Sequence, residues 1–140
     1  IKEIENINYS PKKEKYLEEV CIKTIAGFLN AEGGELFIGI KDNPIQIFGI
    51  EKELETLYKN SSDKLLLHIK NLIKSNVGLQ FIYLINIEIR EIENKKIIRI
   101  SCNKSSSPVL VKKDFFLRCG PSTEKLEGKE LLEYINKRFK

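Results

Sequence analysis

Methionine is absent from this 140-residue chain, which opens at Ile1. Translation starts on Met, so the expectation is one domain, residues 1–140, that is a fragment of a longer chain with further domains. Histidine occurs once, at His68, which excludes His-pair metal sites and leaves any serine or cysteine triad a single candidate base. The cysteines Cys21, Cys102 and Cys119 are odd in number and show no CxxC spacing, so neither a zinc site nor a disulfide framework follows. They read as small buried apolar residues in a reducing compartment. No apolar run approaches the ~18–20 residues of a membrane span, and no signal-peptide pattern opens the chain. A cytoplasmic protein with no membrane partner is therefore expected. No G-x4-G-K-[ST] string occurs, so ATP hydrolysis on a phosphate loop has no support.

What is present is ordinary for a globular chain: 41% hydrophobic and 31% charged residues, which excludes whole-chain disorder. The 24 Lys+Arg against 20 Asp+Glu leave +4, a balance that permits a polyanionic partner without demanding one. Leu17, Val20, Cys21, Thr24, Ile25, Phe28 and Leu29, apolar but for the threonine, follow the i, i+3, i+4, i+7 series of an amphipathic helix, with Ser10-Pro11 at its start, or a loop over the Lys-rich 12–15 stretch, and Gly33-Gly34 at its end. A buried strand over 35–42, a turn at Asn43-Pro44 and a returning strand over 45–50 should follow, then a short helix within 51–60. A second long helix, capped by Ser61 or Ser62, carries Leu65, Leu66, Ile69, Leu72 and Ile73. Period-two alternation from Phe81 through Ile89 predicts a strand, turned at Asn94-Lys95 and continued through Ile98, Ile100 and Cys102. A hairpin about Lys112-Lys113-Asp114, a break at Gly120-Pro121-Ser122 and a last helix from about 127 to 138 complete the order, with an edge strand near 4–9 before the first helix. The expected class is α+β, a mostly antiparallel twisted sheet with about three main helices packed on it.

The string from Phe28 to Asp42 carries the most information. Gly27-Phe28-Leu29-Asn30-Ala31-Glu32-Gly33-Gly34, then Leu36, Ile38-Gly39-Ile40, Asp42 and Phe48-Gly49-Ile50 resemble, in order and spacing, the core motif of the Schlafen-type AlbA-like domain, also called divergent AAA. Ser107-Pro108-Val109 resembles that family's S-x-P element, and Phe116-Leu117-Arg118-Cys119-Gly120-Pro121-Ser122 its Y-x-R-x-G-x-S element. The resemblance covers residues 16–138 and makes Asn30, Gly33, Gly34, Gly39, Gly49 and Gly120 the residues of its structural motif. It implies a nucleic-acid-associated domain of regulatory or defence proteins, with tRNA, other structured RNA or DNA as partner.

Some members of the resembled family are Mg- or Mn-dependent endoribonucleases that use three carboxylates. Asp42 matches the last of these. Glu3 and Glu5 lie in the stretch of the other two, without the family's E-F-K string, so the resemblance makes Asp42 and Glu5 the metal ligands and Glu3 the third carboxylate if this chain cleaves. Without metal ligation, Asp42 is a turn residue. For the binding case the candidate cations are Lys41, Lys104, Lys112, Lys113 and Arg118, which would neutralise phosphates without reading bases. Arg118 suits phosphate by its planar fork; its structural alternative is a salt bridge to a neighbouring-strand Glu. Lys112 and Lys113 alternatively form a solvated hairpin tip. A scaffold domain assembled as a homodimer is the third reading.

Overall fold

The computed structural model describes residues 11–41, 46–51, 54–55 and 58–140, with the side chains of residues 11–16 and 41 outside that description. Helix α1 runs Pro11–Asn30 and opens on its proline, whose missing N–H falls where a helix has no internal acceptor. Ile22, Ile25, Ala26 and Leu29 form its buried stripe. The chain reverses at Gly33, whose φ of +85° belongs to glycine and whose absent side chain makes room for the Cys102 carbonyl, which a Cβ would meet at 2.6 Å.

From that corner strand β1 (Gly34–Ile38) returns along α1 and pairs antiparallel with β5 (Lys95–Cys102), Gly34 opposite Cys102 and Ile38 opposite Ile98. Strand β4 (Ile85–Ile92) pairs with the other side of β5, giving the order β1-β5-β4. The β4–β5 turn is Glu93-Asn94, both at positive φ (51° and 64°), as a two-residue type I′ hairpin requires; this lies one residue earlier than the expected turn.

The expected strand over 35–42 is divided. Gly39 sits at φ +102°, and its carbonyl accepts from the N–H groups of Phe48 (2.8 Å) and Gly49 (3.0 Å), so the chain changes partners there. Beyond it β2 (Ile40–Lys41) pairs antiparallel with β3 (Gln46–Ile47). The Asn43-Pro44 turn and the edge strand near 4–9 fall outside the described residues; of the short helix expected in 51–60, residues 51 and 54–55 are helical.

Helix α2 (Ser62–Asn76) is capped by Ser61, whose hydroxyl accepts from the Lys64 N–H at 3.2 Å. Leu65 and Ile73 are buried on its inner face. The strand expected from Phe81 begins only at Ile85, because residues Leu79–Leu84 form a 3-10 helix instead. Gly78 opens it at φ +121°, and its carbonyl accepts from the Phe81 N–H. With three residues per turn, Phe81 and Tyr83 point to different sides; Phe81 is buried and Tyr83 is 76% exposed. Their period of two in the sequence mimics a strand.

The second sheet has the order β6-β7-β8: β6 (Leu110–Val111), β7 (Asp114–Cys119) and β8 (Ser122–Leu126). Gly120-Pro121 is thus a hairpin turn between Cys119 and Ser122, not a break before the last helix. Strand β8 is not expected from the sequence, because Ser122-Thr-Glu-Lys-Leu126 has no apolar alternation; it is a polar edge strand templated by β7. Helix α3 (Gly128–Arg138) closes the fold without a fully buried residue.

Helix α1 serves both three-stranded sheets. Leu36, Ile38, Ile98, Ile100 and Cys102 of the first, Val111 and Phe116 of the second and Val109 just before β6 join its apolar stripe in one core. Gly27 lets α1 approach β7 closely, since a Cβ there would lie 3.0 Å from the Arg118 backbone nitrogen and 3.3 Å from the Thr123 methyl. The class is α+β with antiparallel pairing throughout, as expected, although the strands form two sheets and a small hairpin rather than one surface.

Candidate nucleic-acid interface

The C-terminal end of α1 is where the motif residues meet. Asn30 is fully buried and completely paired: its amide nitrogen donates to the carbonyls of Val109 (2.9 Å) and Phe116 (2.8 Å), and its side-chain oxygen accepts from the Val109 N–H (2.8 Å). One side chain therefore fastens the helix end to β7 and to the loop entering β6. Its own carbonyl accepts from the Tyr134 hydroxyl at 2.6 Å. Arg138 completes the cap, donating to the carbonyls of Ala31 (2.9 Å), Leu29 (3.4 Å) and Ser105 (2.7 Å). A guanidinium and a hydroxyl on the last carbonyls offset the negative end of the helix dipole, which would otherwise repel an anion here.

Arg118 projects beside this end. Its Nε donates to the Gly120 carbonyl (3.1 Å), one terminal nitrogen donates to the Thr123 hydroxyl (2.9 Å), and the guanidinium lies 5.3 Å from the Phe28 ring centroid. Thr123 is its cross-strand partner on β8. The Phe28 ring in turn occupies the space that a side chain at Gly34 would need. Among the described residues no carboxylate pairs with Arg118, so the salt bridge weighed as its structural alternative is not formed. Burial holds its pKa below the ordinary arginine value, yet an arginine stays charged throughout the physiological range. The result is a fixed, half-buried cation with donors to spare and no counter-ion among the described residues.

Lys104 is brought to the same end. The next residue, Ser105, donates its N–H to the Leu29 carbonyl at 2.8 Å, and the Lys104 ammonium stands 3.7 Å from Glu32, both side chains well exposed. Such a solvated pair is weak and yields readily to phosphate.

The other cations lie elsewhere. Lys112 and Lys113 form the exposed β6–β7 turn, five residues along β7 from Arg118, roughly 17 Å away at strand spacing. Lys112 borders a cleft shared with Glu18, Glu19 and Asp114, a surface of mixed charge. Lys41 stands opposite Gln46 in the β2–β3 hairpin, beyond the far end of β1 from the Gly33 corner. The five cations therefore do not share one position in the fold; Arg118, beside Phe28, and Lys104, next to the Ser105 bonded to Leu29, are the two placed near the α1 end.

The outer face of the first sheet holds a closed charge ladder. Arg99 donates to Glu88 (2.9 Å) and to Glu35, and Arg90 donates to Glu88 (2.8 Å). Hydrogen bonds from Arg99 and Arg90 hold the Glu88 carboxyl below its ordinary pKa, and those to Glu35 and Glu88 raise that of Arg99. These arginines are already neutralised and offer little to a phosphate.

Gly33 and Gly34 make the corner, Gly39 and Gly49 join the β1 end to the β2–β3 hairpin, and Gly120 turns β7 into β8. The carboxylates Glu3, Glu5 and Asp42 lie outside the described residues; among the described residues no group of three or more His, Cys, Asp or Glu is arranged to hold a metal ion. Among them too, no helix is long and apolar enough to cross a membrane. Sequence reasoning missed Tyr134, Arg138 and Thr123. Arg138 and Tyr134 carried no motif signal, and Thr123 belongs to the unrecognised strand β8.

A family model described as Schlafen, AlbA_2 matches residues 2–127, which takes in every element up to the cap of α3. No curated protein matches the sequence. Among solved structures, the crystal structure of the DIP2311 protein from Corynebacterium diphtheriae shares the fold, with a TM-score of 0.60 and 16% identity over 96% of this chain. The match takes in 24% of that protein, so the chain spans about a quarter of its length.

Proposed function

The chain belongs to the Schlafen AlbA_2 family, and from that membership we propose that it binds the phosphate backbone of RNA or DNA at the C-terminal end of α1. In this reading it is the nucleic-acid-binding part of a larger regulatory or defence protein. Arg118 carries the reading: stacked on Phe28, oriented by Thr123 and Gly120, it is a half-buried cation with no carboxylate partner among the described residues. Desolvating an unpaired charge is unfavourable, and an oxyanion accepting its remaining N–H groups offsets that penalty. Lys104 supplies the second charge, with Lys41, Lys112 and Lys113 as contacts only for a ligand long enough to reach them.

The test compares two variants by fluorescence anisotropy with labelled RNA and DNA at about 50 mM salt, where phosphate contacts are strongest. Arg118→Gln should weaken binding at least several-fold, and the double variant Lys112→Gln, Lys113→Gln should weaken it less. No detectable binding by the wild-type chain to tRNA, single strands or duplexes at that salt overturns the proposal.

A further inference from the structure

We infer that Tyr83 is a stacking platform for an unpaired base, so that the ligand held at the α1 end is single-stranded nucleic acid or an unpaired stretch of a structured one. This deepens the phosphate-binding reading above and rests on it. Tyr83 is 76% exposed, and Leu79 on the same short helix is 65% exposed. The helix, Leu79-Gln-Phe-Ile-Tyr-Leu84, has no charged residue, so nothing on it competes for an apolar face. It is nevertheless held firmly: Phe81 is buried in the core, and the Leu84 carbonyl accepts from the Asn103 N–H at 2.9 Å.

That last bond fixes where the platform stands. Asn103 precedes Lys104, and Ile85 and Gly34 both face Cys102 across the sheet, so Tyr83 belongs to the same corner as the candidate phosphate contacts. Summed along the backbone and the one hydrogen bond, the Tyr83 and Lys104 Cα atoms are at most about 15 Å apart. An exposed aromatic beside cations is the arrangement that grips single strands, because every base has a π-face while a duplex keeps its bases inside. The ligand chemistry is thus a phosphodiester chain with at least one free base.

The experiment measures affinity for labelled oligo(U), oligo(dT) and a blunt duplex, each of about 12 nucleotides or base pairs, at low salt, for wild type, Tyr83→Ala, Tyr83→Phe and Arg118→Gln. Circular dichroism checks that each variant is folded, which the exposure of Tyr83 favours. Tyr83→Ala should lose about 5- to 100-fold in single-strand affinity, Tyr83→Phe should retain it, and duplex binding should not respond to either. If Tyr83→Ala leaves single-strand affinity unchanged while Arg118→Gln still weakens it, the platform is overturned and the phosphate reading stands. If the wild type binds none of the three probes, both fall.

Discussion

Asn30 shows how much one side chain decides. Its three buried hydrogen bonds satisfy two carbonyls and one N–H. Asn30→Ala should therefore destabilise the fold by about 3 kcal/mol, at ~1 kcal/mol or more per orphaned partner, readable as a lower denaturant midpoint. Burial alone pushes the Cys102 thiol up to about 12 from its ordinary 9.0. In the unfolded chain this thiol ionises near 9, whereas in the native state it stays protonated, so its contribution to stability is full below about pH 9 and is lost as pH rises beyond. Thiol labelling under native conditions should modify the exposed Cys119 and spare the buried Cys102 until unfolding. Equal labelling of both would contradict the burial described here. Glu88 acts in the opposite direction: its lowered pKa supports the fold above its ordinary 4.5 and loses that support as pH falls through the native value.

Among the elements, α1, α2 and α3 were legible from their 3.6-residue periodicity, with Ser61 the one of two candidate caps that α2 uses. The β4–β5 pair was legible from alternation, with a one-residue error at its turn. What escaped was decided by partners distant in sequence. Strand β8 exists because β7 offers it an edge, Gly39 splits β1 from β2 because Phe48 and Gly49 claim its carbonyl, and Phe81 and Tyr83 alternate without being extended. The candidate site divides in the same way: Arg118 and the glycines stand in recognisable strings, whereas Tyr83 and the capping role of Arg138 depend on the tertiary arrangement. Helix α3 lies beyond the family match and has no fully buried residue, so its polar contacts should matter unusually. Arg138→Ala removes charge-assisted bonds to three carbonyls and should cost about 2 kcal/mol. Faster hydrogen exchange at the α1 C-terminus and in the Ser105 loop, with β4–β5 unaffected, would be the local signature.

For the whole molecule, the net charge of +4 conceals an uneven distribution. The Arg99 ladder is closed by glutamates and the Lys112 cleft carries its own acids, while the α1 end keeps an arginine that no carboxylate answers among the described residues. On the proposed reading a weakly basic chain would grip a polyanion through a few placed charges rather than a broad field, and its affinity should be modest and steeply dependent on salt. The most direct test is the slope of log affinity against log salt for a single-stranded oligonucleotide, measured for wild type and Arg118→Gln. A negative wild-type slope that becomes shallower by roughly one phosphate contact in the variant is the expected result. An affinity that ignores salt, or two identical slopes, would contradict the claim that Arg118 holds a phosphate.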